Sequence, residues 1–162
     1  MRNVIVTGLW LCLCASTAQA DSVYLTAGSL IDPLSGKVVA NPVIEIQEDR
    51  IVSVESAAAV PDQAQVIDLG NATLLPGLAD LHTHLTWNPT DLGYSSLALS
   101  TSDEAIRGVV NARKTLMAGF TAARNLGATG YADVALRNAI NAGEIPGPRL
   151  QVSGQMLGAT GG

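Results

Sequence analysis

His82 and His84 are the two histidines of the chain, and they stand two residues apart in an apolar run, Leu74-Leu75-Pro76-Gly77-Leu78-Ala79-Asp80-Leu81-His82-Thr83-His84-Leu85. Neutral imidazole nitrogen is a ligand for zinc and its first-row neighbours. In a strand, side chains alternate faces, so residues 82 and 84 point the same way. Two imidazoles so placed can grip one divalent ion from neighbouring corners of its shell. The spacing alone also fits two half-buried polar residues at a strand end. Asp80 has the same parity and is expected on the same face, one layer deeper. There it either braces the histidine strand, with Arg124 as its partner, or makes a structural salt bridge. Trp87, Asp91 and Tyr94 follow in the next loop. They are candidates to line a substrate pocket, and ordinary loop packing also accounts for them.

The elements around this run change character at Pro76. Before it, short runs rich in Val and Ile alternate with turn residues: Val23-Tyr24-Leu25, Lys37-Val38-Val39, Val43-Ile44-Glu45-Ile46, Arg50 to Val54 and Ala64 to Leu69. The pattern predicts a small antiparallel sheet or sandwich. After Pro76 the period becomes helical. Thr101-Ser102-Asp103-Glu104 reads as a capping box, and Ile106, Val109, Val110, Leu116 and Met117 recur at helical spacing up to a stop at Gly119. Phe120 to Arg124 is strand-like, Tyr131 to Ala142 is helical with Gly143 as its stop, and Leu150-Gln151-Val152 is strand-like again. Strand, helix, strand, helix, strand is the rhythm of a parallel sheet. It places the histidine pair at the carboxyl end of a parallel strand.

The chain has 162 residues, of which 48% are hydrophobic and 14% charged, with 9 basic against 14 acidic side chains. That is enough apolar material for a buried core, and the acidic balance argues against a nucleic-acid partner. Cys12 and Cys14 are the two cysteines, which leaves no later thiol for a disulfide framework, a cysteine zinc site or a cysteine nucleophile. Arg2, the apolar run from Val4 to Ala15 and Ala18-Gln19-Ala20 read as a secretory signal peptide over residues 1–20, cleaved after Ala20. The run is too short to span a bilayer. The expectation is therefore a periplasmic or secreted protein, with no membrane attachment after cleavage.

The segment Leu75-Pro76-Gly77-Leu78-Ala79-Asp80-Leu81-His82-Thr83-His84 resembles the first barrel strand of the amidohydrolase superfamily, the metal-dependent hydrolases. Ala118-Gly119-Phe120-Thr121-Ala122-Ala123-Arg124-Asn125, Ala135-Leu136-Arg137-Asn138-Ala139-Ile140, Ile145-Pro146-Gly147-Pro148-Arg149, Ser153-Gly154 and Thr160-Gly161-Gly162 extend the likeness. Together they resemble the imidazolonepropionase-like branch and its Xaa-Pro dipeptidase-like members. The resemblance implies an α/β fold, the start of a (β/α)8 TIM barrel preceded by strands of a composite β-sandwich. On that reading residues 21–75 belong to the sandwich and 76–162 carry the first three strands and two helices of the barrel. A full barrel takes about 250 residues, so the chain is expected to be an amino-terminal fragment. His82 and His84 match the family's first two ligands for one or two divalent ions, usually zinc. The family's remaining ligands, a lysine, two histidines and an aspartate, come from later strands. Asn125 stands where the family usually has aspartate, so no ion pair is expected within Arg124-Asn125.

The expected function is metal-dependent hydrolysis of a small-molecule amide or dipeptide, of Xaa-Pro type, through a water activated by the metal. A homo-oligomer is compatible with it. The alternative is a truncated, catalytically inactive product or a weak metal-binding module, which would need a third ligand near the histidines. Asp80 is the one close candidate.

Overall fold

The structure of the protein is a computed structural model that describes residues 22–91 and 93–159. The signal peptide expected over residues 1–20 lies outside the described residues, as does Thr160-Gly161-Gly162. The fold is mixed α/β and divides into two compact units, with the break between Leu74 and Leu75. No described helix is long and apolar enough to cross a membrane.

The first unit is built from seven strands: β1 (Ser22–Thr26), β2 (Ser29–Ile31), β3 (Val38–Ala40), β4 (Pro42–Gln47), β5 (Arg50–Ser56), β6 (Gln65–Asp68) and β7 (Thr73–Leu74). They form two sheets, ordered β5-β4-β1-β6 and β3-β2-β7. Glu48, at φ 55°, turns β4 into β5, and Asn41, at φ 46°, turns β3 into β4. The turn at Glu48 makes β4 and β5 antiparallel neighbours, whereas the one at Asn41 carries the chain from one sheet to the other. The small antiparallel sheet or sandwich expected from the sequence is corrected at two pairings. β6 runs parallel to β1, with Val23 opposite Gln65, and β7 runs parallel to β2. Parallel neighbours need a long connection, and here the intervening strands supply it. Val43 and Ile44 of β4 are buried with Ala27.

The second unit alternates as its periodicity predicts: β8 (Leu78–Thr83), α1 (Thr101–Met117), β9 (Phe120–Asn125), α2 (Ala132–Asn141) and β10 (Arg149–Val152). The sheet order is β10-β9-β8 and both pairings are parallel. Leu85, Ala112, Ala123, Leu136 and Leu150 form its core, with Val109, Ile140, Ile145 and Val152 packed against them. Helix α1 starts one residue earlier than its sequence suggests. Ser100, not Thr101, is the N-cap, and its partner in the capping box is Asp103. Both frames fit the Ser/Thr-x-x-acid pattern. Glu104 is instead buried and accepts a hydrogen bond from the Thr129 backbone N at 3.1 Å. Gly119, at φ 94°, ends α1 as expected. At the entry to β8, a Cβ on Gly77 would collide with the Thr121 side chain of β9. Glycine there lets the two strands begin side by side.

Candidate functional site

His82 is the penultimate residue of β8 and His84 follows the strand. Their ring centroids are 5.4 Å apart at an interplanar angle of 67°. Zinc–nitrogen bonds of about 2.0–2.1 Å put two imidazole centroids about 5 Å apart around one tetrahedral ion. The pair is therefore within reach of a shared ion. The His84 ring stacks on Trp87, with centroids 5.0 Å apart and planes 9° from parallel. Among the described residues, Nδ1 of His84 is buried without a hydrogen-bond partner, as are Oγ1 of Thr86 and Nε1 of Trp87 in the following loop. A buried polar atom in that state normally has a ligand, an ion or a water to answer it.

The strand that carries the pair is not regular. Asp80 lies opposite Ala123 and Thr83 opposite Asn125, so three steps of β8 span two steps of β9. Such a bulge breaks strict alternation, and the parity argument that put Asp80 on the histidine face does not hold across it. Oδ1 of Asp80 accepts a hydrogen bond from the backbone N of His82 at 3.1 Å. Arg124 donates from Nε to the carbonyl of Leu81 at 2.8 Å. The expected Asp80–Arg124 pair is thus not made. Each side chain instead holds a backbone atom of β8 next to His82, because the bulge leaves those atoms outside the regular ladder. Thr83 reinforces this by donating from Oγ1 to the Arg124 carbonyl at 3.1 Å.

Asn111 of α1 fastens the loop after β8. Its Nδ2 donates to the carbonyls of Leu85 at 2.8 Å and Trp87 at 3.2 Å. A hollow of about 240 Å³ opens beside it, lined among others by His84, Trp87, Asn88 and Lys114. Tyr94 is not part of that lining. It sits on a 3-10 turn, Gly93–Ala98, with 91% of its surface exposed. Asp91 braces the loop. It accepts from the Asn88 backbone N at 2.8 Å and pairs with Arg107 of α1. These contacts, the Asn88 bond first and Arg107 after it, hold its carboxyl below the ordinary carboxylate range.

The donor set fits two corners of a metal site. Among the described residues, no group of three His, Cys, Asp or Glu side chains could hold an ion. Asp80 is not the third ligand that a self-contained binding module would need. The described residues thus offer two imidazoles where a catalytic zinc takes three protein ligands and keeps an open position.

Asn125 and Asp133 are buried polar residues close to this strand whose part was not legible beforehand. Asp133 lies in the first turn of α2, where an acidic residue normally needs no explanation beyond the helix dipole. No sequence signal separates that role from burial.

Residues 73–161 match the Amidohydrolase family. Ochratoxinase of Aspergillus niger is 32% identical over 156 residues, which cover 91% of this chain and 31% of that protein. Adenine deaminase 2 of Agrobacterium fabrum is 41% identical over 68 residues, covering 41% of this chain and 11% of that protein. Among solved structures, an Xaa-Pro dipeptidase with methionine bound in its active site superposes with a TM-score of 0.76 at 28% identity, over 88% of this chain and 35% of that one. A prolidase complexed with N-methylphosphonate-L-proline gives 0.76 at 30% identity, over 87% of this chain and 34% of that one. The chain spans about a third or less of the length of each of these proteins. With more than half of its residues matching the family, it belongs to the amidohydrolases.

Proposed function

We propose that this sequence belongs to a metal-dependent hydrolase of carbon–nitrogen bonds, with His82 and His84 as two ligands of a divalent ion, zinc by preference. The observation that carries the reading is the adjacent imidazole pair, with a buried Nδ1 on His84 that has no partner among the described residues, in a chain of this family. We read β8, α1, β9, α2 and β10 as the opening of a (β/α)8 barrel, whose sites lie at the carboxyl ends of its strands. The remaining ligands and the proton acceptor then come from outside the described residues.

The chemistry such an ion supplies is polarisation of the scissile carbonyl and a water acidified toward neutral pH. The chain's own residues prepare the place. His82 and His84 present their rings from one strand end. Asp80 fixes the backbone of His82, and Trp87 covers one face of His84 and keeps water from it. As substrate class we propose small amides, with Xaa-Pro dipeptides first. The supporting likeness is to the dipeptidase and prolidase structures.

The test is metal content and hydrolysis in a full-length form. His82→Ala and His84→Ala are each expected to lose bound metal and to abolish hydrolysis of Xaa-Pro dipeptides. Normal metal content and rates in both variants overturn the reading. Turnover of other amides with none of Xaa-Pro substrates keeps the hydrolase and discards the dipeptidase. We further propose export, from the signal-peptide pattern of residues 1–20. Amino-terminal sequencing of the exported protein is expected to begin at Asp21, and recovery of only intact Met1 protein from the cytoplasm overturns it.

A further inference from the structure

Asn125 ends β9 with no exposed surface, and its amide is used at both ends. Oδ1 accepts a hydrogen bond from the Leu85 backbone N at 2.6 Å. Nδ2 donates to the Gly127 carbonyl at 3.0 Å and lies 3.4 Å from Oδ2 of Asp133. Asp133 is equally buried. Its Oδ2 also accepts from the Gly154 backbone N at 3.1 Å, and its Oδ1 accepts from Val134 N at 2.8 Å. Leu85 lies just beyond β8, Asn125 closes β9, and Gly154 lies just beyond β10. One amide and one carboxylate therefore tie together the carboxyl ends of all three strands.

The bond to Leu85 bears on the histidines. The peptide that joins His84 to Leu85 has both polar atoms engaged. Its carbonyl accepts from Trp87 N at 3.1 Å, and its N–H goes to Asn125. A peptide unit is planar, so pinning both atoms sets the plane from which the His84 ring hangs. Position 125 needs an acceptor toward Leu85 and a donor toward Gly127 and Asp133. An amide offers an acceptor oxygen and two N–H donors. Aspartate offers two acceptors and would face the Asp133 carboxylate across 3.4 Å in a site closed to water.

We propose that Asn125 is a positioning residue for His84, coupling its backbone to Asp133 on α2 through the polarity of its amide. The inference rests on the reading of His84 as a metal ligand.

The test uses the same full-length form as the metal measurements above, with zinc alone as the probe. Zinc affinity is measured by competition with a chromophoric chelator, beside a thermal melt and hydrogen exchange at the Leu85 amide. Loss of a group that orients a ligand typically weakens metal binding 10–100-fold. Asn125→Asp is expected to fall in that range and to speed exchange at Leu85. The exchange variant Asn125→Asp/Asp133→Asn restores a donor facing an acceptor between the two positions and leaves two backbone groups opposed, the Gly127 carbonyl and the Gly154 N–H that shares Asp133 Oδ2. It is expected to recover at least half of the loss on a logarithmic scale. Unchanged zinc affinity in a folded Asn125→Asp overturns the proposal. If Asn125→Asp does not fold, the exchange variant decides: a folded chain that binds zinc supports the pairing, and failure of either overturns it. Equal zinc affinity in wild type and His84→Ala overturns the metal reading instead. Exchange at Leu85 then decides the positioning by itself, acceleration in Asn125→Asp supporting it and an unchanged rate overturning it.

Discussion

At the scale of single residues, Asp80 and His84 are held by different means. Asp80 needs only one carboxylate oxygen to accept from His82 N. Asn keeps such an oxygen and Ala does not. Asp80→Asn is therefore expected to lose less than tenfold in zinc affinity, and Asp80→Ala about 10–100-fold, as for other groups that orient a ligand. Equal losses in a chelator competition would show that charge, not the bond to His82, is what Asp80 contributes. Asp91 gives a prediction in pH. Its carboxyl is held below the usual 3.8 by the Asn88 and Arg107 contacts. A depressed folded value means that the contribution is complete above the unfolded value and lost as pH falls through the folded one. Asp91→Asn should lower the urea midpoint at pH 7, and the gap to wild type should close below pH 3.8. A gap that widens on acidification would contradict the assignment. The histidine pair was legible because residue type and spacing carry it. The partners of its backbone were not. Asn125, Asp133 and Glu104 are polar residues at strand or helix ends, where solvent exposure is the ordinary expectation, and only the packed fold shows them buried.

At the scale of elements, the second unit was readable because its contacts are periodic and near in sequence. The helices end where Gly119 and Gly143 take positive φ, as their glycines suggest. The pairing of β1 with β6 and of β2 with β7 was not readable, since partners some forty residues apart leave no local mark. Nor was the bulge in β8, because a period-two pattern assumes a uniform strand. Two elements offer tests. Ser100→Ala removes the cap of α1 and should destabilise the chain by about 1 kcal/mol, read from thermal melts. Thr101→Ala should cost less, since Thr101 is not the cap. Gly77→Ala forces a methyl group against Thr121. Overpacking of this kind costs about 1–3 kcal/mol, and Thr121→Ala in the same chain should return part of it. An unchanged melt for Gly77→Ala would mean that the strands part at no cost.

At the scale of the whole molecule, the described residues supply two imidazoles and no third ligand. The 162-residue chain by itself is therefore expected to bind zinc weakly and to hydrolyse no Xaa-Pro dipeptide. A metal-supplemented assay decides this, and metal-dependent turnover would require a site assembled from more than one copy.

The stack of Trp87 on His84 has an optical consequence. The chain has two tryptophans, Trp10 and Trp87, and Trp10 falls within the residues expected to be removed on export. In a chain that begins at Asp21, every indole photon comes from the ring that lies 5.0 Å from the His84 imidazole. Placing positive charge beside an indole changes the field on its π system. Intrinsic fluorescence then becomes a built-in gauge of what His84 holds, with no label attached. Trp87→Phe would silence the gauge and leave both imidazoles in place.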